Sequence, residues 1–370
     1  MITNKKIMMI ATTDNMIWQF LIPHINYLKS QGNVVECVCA KTGFWFDELS
    51  DKFGFTMHEI DFARNPFKLK NLKAYKKLKQ LQKQENFDLV YCQQPVGGMM
   101  GRLIARKFKL PVIYTAHGFQ FISGGSKLKN LLFKTAEKWL ARKTDILITI
   151  NDDDYKACKS WKAKKIFKIS GIGFDINKYD NSPFDKDEFK KSLGLKDEFA
   201  ILTVAEFSPG KNYETMLNAI AELKDKNVKL ISCGRGKCEQ EIKSKIKELD
   251  IEDKVELLGY RKDINKIMQI ADVFFLPSHR EGLCLSMIES LNFGLPIITS
   301  NVRGCKDLVD NEVNGFVGEK DDHEYYAKVI SKLLQNSELK EQMGKQSLLK
   351  APEYSIENVL KQLEEIYNQL

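Results

Sequence analysis

The chain has 370 residues, 43% of them hydrophobic and 29% charged, with a formal net charge of +8. That length exceeds one ordinary core and fits two domains, and the composition is that of a folded protein rather than a disordered one. No apolar run approaches the roughly 20 residues that span a bilayer. The eight cysteines include no Cys-x-x-Cys pair, so they read as reduced buried filler, not as a disulfide framework or metal site.

Residues 6–12 read as a buried strand. The short apolar run there has no small-residue cleavage site, so no secretory leader is expected and the location expected is cytoplasmic. A helix is expected over 17–28, with Pro23 near its middle. Further strands follow at 34–40, 56–62, 88–93, 112–116 and 145–150, with helix-length segments at 68–84, 98–107 and 128–143. Alternation of this kind predicts a parallel sheet with helices on both faces. The turn-rich stretch 170–183 breaks the pattern. A second series then runs through strands at 200–206, 229–233, 254–258, 273–276 and 297–300, with helices at 213–223 and 237–249.

The expected fold class is therefore α/β, with two tandem Rossmann-like doubly wound domains. They are placed at 1–175 and 176–350, with a cleft between them; an amphipathic helix in 351–370 packs back on the first. Ligands in such sheets bind beyond the carboxyl ends of the strands.

Charge is divided between the halves. Residues 1–180 carry 30 Lys and Arg against 16 Asp and Glu, whereas 181–370 carry 27 against 33. A basic first half meets nucleic acid, an anionic membrane or a phosphorylated substrate. The absence of any recognisable nucleic-acid-binding module excludes the first. Lysines interleaved with apolar residues at 68–79, and a second basic cluster at 127–143, match a membrane-surface pattern.

Four strand-end loops carry candidate chemistry. In Thr115-Ala116-His117-Gly118-Phe119, Gly118 allows close backbone approach and His117 offers a side chain. In 206–212, Asn212 is expected to cap a helix and Lys211 to stand at its positive end, where an anion is stabilised. Cys233-Gly234-Arg235-Gly236 is a tight turn with a weak Gly-x-Gly signal.

The fourth loop is the most informative. Glu281-Gly282-Leu283-Cys284-Leu285 follows an apolar strand and opens a helix that contains Glu289. Backbone N–H groups of Leu283, Cys284 and Leu285 suit a diphosphate, and Glu289 suits ribose hydroxyls. Ser286-x-x-Glu289 also reads as a capping box, which explains Glu289 without a ligand. Glu281 has no such duty. The run Asp152-Asp153-Asp154 is read as compensation of a helix dipole rather than as a cation site.

On these residues the chain resembles glycosyltransferase family 4, the retaining group with the GT-B fold, over nearly its whole length. The most specific segment is 281–289 with Asn292-Phe293-Gly294-Leu295-Pro296 after it. Support comes from Gly259-Tyr260-Arg261-Lys262-Asp263, Asp88-Leu89-Val90-Tyr91, Pro95-Val96-Gly97-Gly98 and Gly173-Phe174-Asp175. The loop around His117 resembles enzymes that build capsular and exopolysaccharides on a lipid carrier.

The resemblance implies roles. Lys211 clamps the donor diphosphate and Glu281 faces the donor sugar near its anomeric carbon. The amides of Leu283, Cys284 and Leu285 hold phosphate oxygens beside Gly282, and Glu289 holds the ribose. Tyr260 and Arg261 lie near the base, and His117 with Gly118 lines the sugar pocket from the first domain. The reaction implied is hexosyl or N-acetylhexosaminyl transfer from a nucleotide-diphosphate sugar, by family frequency a UDP-sugar, to a hydroxyl of a lipid-linked saccharide. No metal and no cofactor is expected, and the acceptor places the protein as a peripheral partner of the inner face of the plasma membrane.

Three positions depart from the family. Glu206 stands where an arginine is usual, so one diphosphate contact is either missing or supplied elsewhere, with Arg235 and Arg303 the candidates. The loop 12–17 lacks the common Gly-Gly, and Tyr91 and Gln93 replace a His-x-His. The alternative is a non-catalytic sugar-nucleotide-binding partner subunit. A dinucleotide oxidoreductase is excluded because 11–16 contains no glycine.

Overall fold

Ile7, Met8, Met9, Ile10 and Ala11 have no solvent exposure, as a strand covered on both faces requires. The computed structural model describes residues 2–370 apart from 44, 64, 67, 122–124, 180 and 181. It divides into two units, Met1–Gly173 with Ile356–Leu370, and Phe174–Ser355.

Unit 1 holds strands β1 (Lys6–Thr13), β2 (Val34–Ala40), β3 (Thr56–Glu59), β4 (Leu89–Gln93), β5 (Val112–Ala116), β6 (Ile146–Thr149) and β7 (Lys165–Lys168). They pair in parallel in the order β3-β2-β1-β4-β5-β6-β7. Its helices are α1 (Asp14–Met16), α2 (Ile22–Ser30), α3 (Trp45–Phe53), α4 (Lys70–Glu85), α5 (Pro95–Phe108), α6 (Lys127–Ala141) and α7 (Asp152–Cys158).

Unit 2 holds β8 (Phe199–Val204), β9 (Val228–Cys233), β10 (Val255–Gly259), β11 (Val273–Leu276), β12 (Ile297–Ser300) and β13 (Gly315–Gly318). Their parallel order is β10-β9-β8-β11-β12-β13. Its helices are α8 (Lys186–Ser192), α9 (Tyr213–Ala221), α10 (Glu239–Glu248), α11 (Ile264–Ile270), α12 (Leu285–Asn292), α13 (His323–Gln335) and α14 (Ser337–Lys350), and α15 (Ile356–Tyr367) returns to unit 1. Chain order reverses between β1 and β4 in the first sheet and between β8 and β11 in the second. These are the two places where loops diverge and leave a crevice.

Several elements differ from expectation for local reasons. The helix expected at 17–28 is α1 and α2 joined by a π-helical turn, Ile17–Leu21. Pro23 lies in the first turn of α2, where its missing N–H breaks no bond. The strand expected at 56–62 stops at Glu59, because the Phe62 amide turns back to the Ile60 carbonyl. The short edge strands β7 and β13 carry too little periodicity to be expected from sequence.

Unit boundaries fall at 173/174 and 355/356. Phe174 donates its amide to the Tyr354 carbonyl at 2.9 Å, which keeps 351–355 with unit 2. Gly173, at φ +85°, packs so tightly on Ile356 that a Cβ there would lie 2.5 Å from its Cδ1. The last helix buries Ile356, Val359, Leu363, Ile366 and Tyr367, one stripe at helical spacing.

Candidate active site

The reversal between β8 and β11 brings two loops together in unit 2. The His279 amide donates to the Gly210 carbonyl at 2.9 Å, so the loops after β8 and β11 are tied backbone to backbone. Asn212 takes the left-handed conformation, φ 55° and ψ 50°. It stands at the start of α9 but its side chain does not cap that helix, contrary to the expectation from sequence. Instead its buried amide nitrogen donates to the carbonyls of Pro277 at 3.0 Å and Lys320 at 2.7 Å, clamping three loops.

This clamp sets Lys211 against Glu281. Lys211 Nζ lies 2.5 Å from Glu281 Oε1, and Ser278 Oγ donates to the same oxygen at 2.8 Å. Burial works against the lysine charge, yet the Glu281 carboxylate prevails and holds the ammonium above the ordinary lysine range. Ser278 is itself fully buried, and its carbonyl accepts from Ser300 Oγ at 2.5 Å. The Arg303 guanidinium reaches the Glu281 carbonyl through Nε at 3.3 Å. Gly304, at φ +76°, lets that loop approach: a Cβ would stand 2.3 Å from the Gly282 carbonyl oxygen.

Gly282 and Leu283 lead into α12, with Cys284 at its N-cap and Leu285 its first residue. The amides of the first turn point out of the helix start, where they bond an anion. Cys284 is buried, which pushes its thiol up to about 11, and its Sγ lies 3.3 Å from Ser286 Oγ. Ser286 lies inside the helix, so it is not the cap and the capping-box explanation of Glu289 fails. Glu289 Oε1 instead accepts from the Tyr179 hydroxyl at 2.7 Å. Burial first, and then this carboxylate, raise the Tyr179 hydroxyl well above its ordinary range. Tyr179 was not singled out from sequence, because nothing in its neighbourhood there connects it to Glu289.

The base-side residues fall into two pairs. Arg235 and Tyr260 are both exposed, with the guanidinium 5.5 Å from the ring centroid. Arg261 forms a bidentate pair with Asp263, at 2.8 and 2.6 Å. The glycines around Arg235 serve packing: a Cβ at Gly234 would lie 1.9 Å from the Ala205 carbonyl, and one at Gly236 2.2 Å from that of Phe207. Glu206 is exposed. Of the two arginines named to compensate for it, Arg303 is the one beside Glu281.

In unit 1, Gln93 and Thr115 are register partners at the ends of β4 and β5. His117 Nε2 lies 2.7 Å from Gln93 Oε1, so Nε2 carries the proton and donates. Its Nδ1 is buried and has no hydrogen-bond partner among the described residues. Burial, aided by nearby His24, holds the imidazole down to about 3, so it is neutral at physiological pH. Gly118 follows at φ 119°. The Phe119 amide then donates to Asp154 Oδ2 at 3.1 Å, and Asn151 caps α7 by accepting from the Asp154 amide at 2.8 Å. The acidic triplet thus starts a helix and anchors the His117 loop.

Two doubly wound units, each a parallel sheet with helices, are the architecture of GT-B glycosyltransferases. A family model for glycosyl transferases group 1 matches residues 185–349, and one for glycosyl transferase 4-like proteins matches residues 6–151. The chain is 31% identical to the Bacillus subtilis protein named as glycosyltransferase EpsD, over 98% of this chain and 96% of that one. The chain belongs to glycosyltransferase family 4. It is also 32% identical, over 78% of its length and 76% of the relative's, to an Escherichia coli enzyme. That relative is named UDP-Gal:alpha-D-GlcNAc-diphosphoundecaprenol alpha-1,3-galactosyltransferase. Among solved structures, Anabaena Alr3699/HepE in complex with UDP superposes with a TM-score of 0.84 at 20% identity, covering 99% of this chain and 100% of that one.

Proposed function

We propose that the protein transfers a hexosyl or N-acetylhexosaminyl group from a UDP-sugar to a hydroxyl of a lipid-linked saccharide, with retention at the anomeric carbon, in the synthesis of a cell-surface polysaccharide. The observation that carries this reading is the Lys211–Glu281 pair beside the start of α12. As the donor bond breaks, negative charge grows on the leaving diphosphate. Lys211, Arg303 and the amides of Leu283, Cys284 and Leu285 stabilise that charge without calling on a metal. Glu281 faces the oxocarbenium-like sugar, and Glu289 accepts ribose hydroxyls. Tyr260, Arg235 and Arg261 serve the base. In unit 1, the orphan Nδ1 of His117 is an acceptor for a substrate hydroxyl, and Gly118 allows backbone approach.

Support for the acceptor class comes from two relatives. One is the Escherichia coli galactosyltransferase; the other is a Campylobacter jejuni protein, 25% identical over 94% of this chain. The latter is named N,N'-diacetylbacillosaminyl-diphospho-undecaprenol alpha-1,3-N-acetylgalactosaminyltransferase. A lipid-borne acceptor places the reaction at the cytoplasmic face of a membrane, which the protein meets peripherally through its basic first unit. No helix among the described residues is long and apolar enough to cross a bilayer.

Calorimetry against a panel of nucleotides and nucleotide sugars, followed by a transfer assay on undecaprenyl-diphosphate saccharides, tests the proposal. Binding of UDP and its sugars with transfer supports it. Binding without transfer or donor hydrolysis would instead favour a non-catalytic partner subunit, and absence of nucleotide binding would overturn the reading.

A further inference from the structure

Helix α6 packs inward through few residues and leaves a row of apolar side chains outside. Leu140 and Ala141 are buried with Glu137 on the inner side. Leu128, Leu131, Leu132 and Trp139 are 77%, 65%, 50% and 49% exposed. Their spacing of three, four, seven and eleven puts them on one face. A water-facing row of three leucines and a tryptophan is a costly surface for a protein to keep.

The charge around that row has one sign. Helices α4, α5 and α6 contribute to one core cluster through Ala74, Leu78, Met100, Ile104 and Ala141. Leaving aside the fully buried Arg102, the three helices carry twelve Lys and Arg and only two acids, Glu85 and Glu137. Both acids are already paired: Glu85 with Lys6 at 2.6 Å and Glu137 with Arg102 at 2.9 Å. Lys143 sits over the Trp139 ring, 3.2 Å from its centroid. In α4, Ala74 and Leu78 face the core, while Leu69 and Leu72 at the start of the lysine-rich segment 68–79 are 79% and 61% exposed and add apolar surface beside the lysines.

We infer that α6 is a membrane-docking helix, its Leu128, Leu131, Leu132 and Trp139 seated in the interface of an anionic bilayer while the lysines of α4 and α6 meet the headgroups. Charge complementarity selects this occupant: a cationic rim around an apolar ridge fits an anionic interface and repels a second copy of itself. The buried Arg102–Glu137 pair holds the helix with the ridge outward, since rotation about its axis would separate the two charges. The inference deepens the proposed lipid-linked acceptor and is tested separately from it.

The full chain is sedimented with phosphatidylcholine vesicles, with and without phosphatidylglycerol, and the L131E/L132E variant is compared. Both positions are exposed, so melting temperature and UDP binding should be unchanged while vesicle binding weakens at least about tenfold. Brominated lipids should quench tryptophan fluorescence in the native chain and much less in W139F. Equal sedimentation of variant and native chain, or no quenching at Trp139, would overturn the inference while leaving the donor reading intact. A sedimentation-velocity shift from dimer to monomer in L131E/L132E, with no vesicle effect, would assign the ridge to self-association instead.

Discussion

The Lys211 ammonium and the Glu281 carboxylate, seventy residues apart in the chain, meet at 2.5 Å, with side chains 21% and 11% exposed. The pair keeps a cation charged and aimed before any substrate arrives. A diphosphate entering beside α12 competes with Glu281 for that cation and, in the proposed reaction, leaves the carboxylate to face the sugar. Preorganisation of this kind lowers the barrier because no charge has to be assembled at the moment of bond breaking.

Replacement of Lys211 by alanine should therefore reduce transfer by about a hundredfold or more. It also strips Glu281 of its cation and leaves the carboxylate with the Ser278 hydroxyl among the described residues, which costs about 1–3 kcal/mol of stability. Turnover measured alongside circular-dichroism melting separates the two effects. Native turnover in a folded Lys211→Ala protein would remove Lys211 from the mechanism.

His117 should make stability pH-dependent. Its folded value is about 3, against an ordinary 6.5. As pH falls through that window, the unfolded chain takes up the proton first. The contribution is thus complete above the ordinary value and is lost on acidification at about 1.4 kcal/mol per pH unit. Urea denaturation at pH 7 and pH 5 should show the native protein losing about 2 kcal/mol more than His117→Gln. Equal losses would mean that His117 is not held neutral. His24, also lowered by burial, acts in the same direction in both proteins.

Tyr179 and Glu289 should separate binding from chemistry. Glu289→Ala removes the proposed ribose acceptor and should weaken UDP binding about tenfold or more, read by calorimetry. Tyr179→Phe leaves the carboxylate in place without its orienting donor, so a smaller rise in KM with kcat nearly unchanged is expected. A kcat effect larger than the KM effect in Tyr179→Phe would contradict an orienting role.

Gly304→Ala should be disruptive although it adds one methyl group. The new Cβ would fall 2.3 Å from a backbone oxygen of Gly282, at a φ of +76° that L-residues rarely adopt. Strain of roughly 1–3 kcal/mol is expected, together with a displaced 281–283 loop and reduced turnover. A melting temperature within a degree of the native protein would show that the loop yields without cost.

Much of the architecture was readable from one dimension. The largely apolar segments 34–40 and 112–116 appear as β2 and β5 with their expected bounds, because a strand covered on both faces carries apolar residues at successive positions. Lys211, Glu281 and the helix start at 285 were legible because glycine, charge and an apolar strand end occur together. Asn212 reads locally as a side-chain cap, but its partners, Pro277 and Lys320, are contributed by distant loops. Ser286-x-x-Glu289 was ambiguous for a similar reason, since the same spacing serves a capping box or an interior turn until the helix start is known.

Residue order and polarity were enough for the alternation of strand and helix, the two-unit plan, the basic first half and the motif from Glu281 to Glu289, because these follow from local periodicity and covalent neighbours. Folding in three dimensions alone determined that Lys211 pairs with Glu281, that Tyr179 holds Glu289, and that Leu128, Leu131, Leu132 and Trp139 of α6 stay unburied as an exposed ridge. Contacts between loops tens of residues apart depend on sheet order and packing, and no stretch of neighbouring side chains encodes them by itself.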